Sequence, residues 1–202
     1  MFDLSKPTDL KKISTLLLLL SIISPLCSQL ISEKGSKPKI VENLQLRFNL
    51  LSPGIDFEIG IFKNQTAVGG LGLGLAYYEE GYAFGLALNT EYRYYHNLKR
   101  RIRNNKYIAG NSGNYFAAAR SIYFDPLIFA SDIPFDDFNI GYYGVLYGVQ
   151  RTLKKGINFD ISTGVGYYRG DGVPSGFGPI VNLKIGWVAT KRKSKAIYFK
   201  ED

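Results

Sequence analysis

Seven ionisable side chains stand where chemistry could be done: Arg47, Asp56, Glu58, Glu91, Arg93, Asp160 and Lys184. Each lies in a stretch that alternates polar and apolar residues, on the polar side of the alternation. Four carboxylates and three cations brought together could pass ions, shuttle protons or neutralise one another. Which of these they do depends on how wide a space holds them. Other candidates are few. His96 is the only histidine, so no His/Cys cluster can hold a metal. Ser112 and Glu91 lie near His96 in sequence, but Gly110-Asn111-Ser112-Gly113-Asn114 lacks the nucleophile-elbow spacing, and its residues are turn formers. Gly70, Gly72 and Gly74 alternate without meeting the dinucleotide or P-loop fingerprint. No catalytic residue, cofactor or metal is expected, and the chain is read as a non-enzyme.

The elements that must position these residues show a period of two. Leu44, Leu46, Phe48 and Leu50 oppose Gln45, Arg47 and Asn49. After a turn at Pro53-Gly54, Ile55, Phe57, Ile59 and Ile61 oppose Asp56, Glu58 and Gly60, which is a hairpin signal. Further strands are expected over 66–78, 82–95, 115–124, 140–153, 157–168 and 179–190. The connection 96–114 is basic, and Leu98 and Ile102 are spaced for a short helix between strands 4 and 5. The fifth strand places Arg120 on the side of Phe116, Ile122 and Phe124. The loop 125–139 is acidic and aromatic, so Asp125, Asp132, Phe135, Asp136 and Asp137 are candidate surface-interaction residues. Residues 171–178 read as a Gly/Pro loop. The fold class is all-β: eight antiparallel strands in up-and-down order.

The chain has 202 residues, 46% of them hydrophobic, with 22 glycines and 15 tyrosines. Lys6, Lys11 and Lys12 precede an apolar run from Ile13 to Leu26 and then Cys27-Ser28-Gln29, the order of a secretory signal peptide. The run is too short to span a bilayer as a helix. Retention of an acylated Cys27 is disfavoured by Leu26 immediately before it. The expected organisation is a signal peptide over 1–28, a lead-in over 29–40, a barrel over 41–190 and a basic tail over 191–202.

The apolar set is Leu, Ile, Phe and Tyr on nearly every strand, while the opposite side is charged or glycine. A lipocalin-like barrel is built the other way round, with apolar residues inside, so the reading favours a transmembrane barrel with lipid outside and charge inside. The interior of eight strands is only just filled by side chains. The seven charges are then a structural network that plugs the lumen. Loop charges sort by side, Lys63, Arg100, Arg101 and Lys154 on one and Glu79, Glu80 and Asp136 on the other. This explains the net charge of +8 without nucleic acid.

On these features the chain resembles the small eight-stranded outer-membrane barrels of Gram-negative bacteria, the OmpA-like transmembrane class. Asn49-Leu-Leu-Ser-Pro-Gly-Ile with Glu58, Tyr92-Arg-Tyr-Tyr-His-Asn, Gly113-Asn-Tyr and Gly148-Val-Gln-Arg are similar to a group of uncharacterised members. The resemblance implies an integral outer-membrane protein with periplasmic termini and a structural or surface-interaction role. It would be a monomer whose partners are outer-membrane lipid and the barrel-assembly machinery. A narrow channel or small-ligand carrier, a lipid-modifying enzyme and a secreted lipocalin-like barrel are the alternatives. The N-terminal reading is checked by mass spectrometry, with the mature chain expected to begin at Gln29 rather than at an acylated Cys27.

Overall fold

The computed structural model describes residues 39–78, 81–124, 129–130, 140–170 and 173–190. All belong to one compact unit, Pro38–Asp202. The signal peptide over 1–28, most of the lead-in, the acidic loop 125–139 apart from Phe129 and Ala130, with Asp125, Asp132, Phe135, Asp136 and Asp137, and the tail 191–202 lie outside the described residues.

The chain runs β1 (Leu44–Leu51), β2 (Gly54–Phe62), β3 (Gln65–Tyr78), β4 (Gly81–Tyr95), α1 (Leu98–Arg103), β5 (Asn114–Tyr123), β6 (Phe129–Ala130), β7 (Ile140–Thr152), β8 (Ile157–Gly170) and β9 (Val173–Val188). Pairing is antiparallel throughout, in the order β3-β2-β1-β9-β8-β7-β5-β4, and β3 also pairs with β4, so eight strands close a hydrogen-bonded ring. The two-residue β6 adds to the outer part of β4 at Ala83 and Phe84. The expected short helix forms as α1. Its Leu98 is buried, and Arg100, Arg101 and Arg103 occupy its last turn, where cations favour the helix dipole.

Alternation places the side chains as the period of two requires. Gln45, Arg47, Asp56, Glu58, Thr66, Glu91, Arg93, Gln150, Asn158 and Asp160 are buried inside the ring. Phe48, Phe57, Phe116, Val145, Ile161 and Val165 are exposed outside it. Arg120 is exposed on the outer side, with its guanidinium 5.2 Å from the centre of the Tyr143 ring. An apolar cluster of Ile40, Val41, Tyr95, Leu98, Ile108, Tyr115, Ala117 and Leu146 fills part of the interior.

Two boundaries differ from expectation. The first hairpin turns at Ser52-Pro53, with Ser52 at φ 52, and Gly54 already belongs to β2. A Cβ on Gly54 would meet Leu71 O at 2.6 Å, so glycine lets β2 and β3 approach. β9 begins at Val173, within the expected loop 171–178. It includes Pro174, which the sequence reading left in the loop, and carries Pro179, the expected first strand residue, well inside the strand opposite Val165. The proline is tolerated because β1 pairs with β9 only over Ile185–Val188, so Pro179 lies on an edge.

That edge overturns the transmembrane barrel. The hairpin β1–β2 stops at Ser52-Pro53, whereas β3 and β9 continue. Among the described residues, β3 beyond Leu73 pairs only with β4, and β9 before Ile185 pairs only with β8. Hydrocarbon does not tolerate open sheet edges, since each unpaired backbone group there costs several kcal/mol. Leu73 N–H is taken by Pro53 O at 2.8 Å and Leu183 O by Ser52 Oγ at 3.0 Å, and there, among the described residues, the stitching across the gap ends. The ring is therefore closed over part of its height and is not a transmembrane barrel. No helix among the described residues is long and apolar enough to cross a membrane. The OmpA-like assignment, the outer-membrane address with periplasmic termini, and the lipid and assembly-machinery partners fall with the barrel. The period of two was right about which side each residue takes, but it carries no information on where neighbouring strands stop.

Glycine packing inside the ring gives a test. A Cβ at Gly148 would press into the Tyr115 ring, which is fully buried, whereas one at Gly69 meets nothing within 4 Å. Gly148→Ala is expected to lower the free energy of unfolding by about 1–3 kcal/mol. Gly69→Ala should leave the urea midpoint unchanged or slightly raised.

Candidate functional site

The seven sequence-selected charges lie inside the ring, and the structure joins them into two clusters linked through Gln150. The first is centred on Glu58, which is fully buried on β2. Its Oε1 accepts hydrogen bonds from Thr66 Oγ1, Tyr95 OH and Asn111 Nδ2, each at 2.8 Å. Its Oε2 accepts from Arg47 Nη1, and from Gln45 Nε2 and Gln150 Nε2 at 3.5 Å. The donors come from β1, β3, β4, β7 and the connection after α1, so one carboxylate ties five parts of the chain together. Arg47 also reaches Asp56 at 3.7 Å. Asp56 accepts from Lys184 Nζ at 3.1 Å and from Asn49 Nδ2 at 2.9 Å.

The second cluster is centred on Arg93 of β4. Its Nε donates to Glu91 at 2.7 Å and its Nη1 to Asp160 at 2.8 Å. The guanidinium carbon lies 4.2 Å from the centre of the Tyr115 ring, and Tyr115 OH donates to the other oxygen of Asp160 at 2.7 Å. Gln150 Oε1 accepts from Arg93 at 2.7 Å, from Tyr95 OH at 3.2 Å and from Arg47 at 3.3 Å. An amide, not a charge, bridges the clusters.

The connection between α1 and β5 enters the ring at one end. Gly110 and Asn111 are consecutive residues with positive φ, 64° and 54°. A Cβ at Gly110 would meet Thr152 Oγ1 at 2.5 Å. Gly110 N–H donates to Glu42 at 2.8 Å, and its carbonyl accepts from Gln150 Nε2 at 3.0 Å and Thr152 Oγ1 at 2.9 Å. Asn111 Oδ1 accepts from Glu42 N–H while its amide reaches Glu58. The turn-rich stretch thus stoppers the ring. Ser112 is buried there, its hydroxyl donating to Ala109 O at 2.9 Å and accepting from Thr152 N–H at 2.8 Å. His96 is far from that role. It is exposed on the outer face, its ring 5.3 Å from that of Phe116 and 5.9 Å from that of Tyr147.

Burial by itself would raise the pKa of Asp56 and Glu58. Lys184 and Arg47 beside Asp56, and Arg47 and Arg93 beside Glu58, more than reverse this and hold each carboxyl at about 2. Burial likewise opposes the charge on Arg47 and Arg93, and the neighbouring carboxylates raise both above the ordinary arginine value. Burial and then Glu58 push the Tyr95 phenol up, so it stays a neutral donor. No group of three or more metal-ligating side chains is found among the described residues.

Tyr95, Tyr115, Gln150, Thr66 and Asn111 belong to the network although the sequence reading selected only charges. Four of them were findable: Tyr95 shares the phase of Arg93, Gln150 that of Gly148, and Thr66 and Tyr115 sit at inward positions of their strands. Asn111 gave no signal, because its place depends on a loop folding into the ring. Comparison of the chain with family models, curated proteins and solved structures finds no match in any of the three.

Arg93→Met leaves Glu91 and Asp160 buried without their cation and is expected to cost about 3–5 kcal/mol of stability in urea unfolding. Lys184→Met should cost less, because the Lys184 side chain is 13% exposed against 1% for Arg93. The pH dependence follows from Asp56 and Glu58, whose folded values lie below the ordinary value near 4. Their contribution is complete above about pH 5 and is lost as pH falls through about 4 towards 2. The urea midpoint is expected to be flat from about pH 5 to 7 and to drop below about 4, with a smaller drop in Glu58→Gln.

Proposed function

We propose that this chain is a non-catalytic structural and interaction protein: the charge network holds the strand ring in one shape, and the outward apolar residues make its contacts. The observation that carries this reading is the occupancy of the interior carboxylates. Asp56, Glu58, Glu91 and Asp160 are buried and each accepts from a cation, and Asp56, Glu58 and Asp160 also accept from neutral donors. A general acid or base must exchange its proton near the working pH, and the value of about 2 at Asp56 and Glu58 removes them from that range. The remaining nucleophile candidate, Ser112, uses its hydroxyl on backbone groups, while His96 stacks on the opposite side of the sheet.

The contact role rests on the exterior. Phe177 is 82% exposed, Val181 72%, Val145 63% and Phe57 52%, and many other large apolar residues share that face. Exposed apolar surface of this extent marks an interaction surface. Reaction of the purified protein with a fluorophosphonate serine probe tests the non-catalytic half, and no labelling is expected. Stoichiometric labelling abolished by Ser112→Ala would overturn it, since only an activated serine reacts in this way.

A further inference from the structure

Folding makes the outer surface more basic than the chain as a whole, whose net charge is already +8. The interior network withdraws Asp56, Glu58, Glu91 and Asp160 from the surface but only Arg47, Arg93 and Lys184 with them. Among the described residues every carboxylate is buried, Glu42 included. The sorting of loop charges that accounted for +8 without nucleic acid needed a membrane between the two sides, and that account falls with the transmembrane barrel.

Exposed rings stand in rows on this basic surface. Arg120, Tyr143, Tyr167 and Phe177 lie opposite one another on β5, β7, β8 and β9, and all four are exposed on the outer side. The Arg120 guanidinium lies over the Tyr143 ring, and Tyr167 and Phe177 meet edge to face with centres 5.2 Å apart. Tyr94, Phe116 and Tyr147 form a second outward row on β4, β5 and β7, about 13 Å along the strands from the first. The row between them, Ala118, Val145, Val165 and Pro179, has short side chains. The rings therefore stand above a low floor on both sides of it. Arg169, exposed two residues beyond Tyr167 on β8, flanks the first row.

We propose that this outer face binds single-stranded nucleic acid, with bases stacked on the two aromatic rows and phosphates met by Arg120 and Arg169. The proposal names the partner for the contact role argued above and rests on that reading. Aromatic side chains stack on the flat face of any base, and cations on the same surface follow the phosphate backbone. A duplex keeps its base faces stacked on one another, so rings in rows select a single strand. An acidic peptide would answer the charge but offers few planar faces to the rings. A second copy of this chain would bring the same cations and set like charges face to face.

Fluorescence anisotropy of a labelled oligothymidylate, titrated with the full chain at several salt concentrations, tests the face. Saturable binding is expected, weakened about fivefold or more in Phe177→Ala and in Tyr147→Ala. Phe62→Ala removes an exposed ring from β2, away from this face, and should leave binding unchanged. Arg120→Gln should lower the slope of affinity against salt by about 1. An abasic strand of the same length should bind more weakly than the oligothymidylate. Equal binding of the abasic strand, or displacement by polyglutamate as effective as by unlabelled oligothymidylate, would overturn the proposal in favour of an acidic partner read by charge alone. Absence of saturable binding, or undiminished binding in both ring variants, would overturn it outright. None of these outcomes bears on the non-catalytic reading, which fails only on labelling of Ser112 by the serine probe.

Discussion

The structure depends on the pairing of Glu58 with Arg47, two charges with no access to water. Each needs the other, because leaving one charge of a buried pair uncompensated costs about 3–5 kcal/mol, a large part of a folded domain's net stability. The consequence is cooperative. Glu58 needs Thr66, Tyr95 and Asn111 to fill its remaining lone pairs, and those donors come from different strands and from the stoppering connection. A strand that left its register would strand a carboxylate, so the network selects one register among the many that period two allows.

Glycine and tyrosine complete the interior in a complementary way. Tyr115 lies over Gly148, and Tyr142 lies against Gly144 and Gly166. A ring interior cannot hold a large side chain at every inward position. Pairing a large ring with a neighbour that lacks a side chain fills the space without strain. The high glycine content is thus a packing requirement of a narrow ring with aromatic residues inside, rather than a mark of phosphate binding.

Incomplete closure is the second organising constraint. The short β1–β2 hairpin closes the ring only at the end that carries the Glu58 and Arg93 clusters, and there the hydrogen-bond ladder is continuous from β3 round to β4. Beyond Ser52-Pro53, β3 and β9 each have one edge unpaired among the described residues, and Pro179 removes a donor from the β9 edge. The most polar interior therefore coincides with the fully laddered part, where the backbone is stiff enough to hold ion-pair geometry.

Strand positions, the inward side of each strand and the seven charged residues were legible in the sequence because alternation is a local property and charged residues seek partners wherever they are buried. So was Leu98 as the anchor of a short helix. Three things were decided only by tertiary structure. The Gly110–Asn114 stretch reads as a turn in any context, and its insertion into the ring follows from hydrogen bonds to Glu42, Glu58 and Gln150, which are far away in sequence. β9 runs through two prolines because, among the described residues, its edge before Ile185 has no partner on the β1 side, a fact of strand order rather than composition. The same mismatch of strand lengths separates a partly closed ring from the membrane-spanning barrel that alternation alone suggests. Alternation reports which side of a sheet a residue takes, whereas closure is set by which strand edges find partners, and that is determined only when the whole chain has folded.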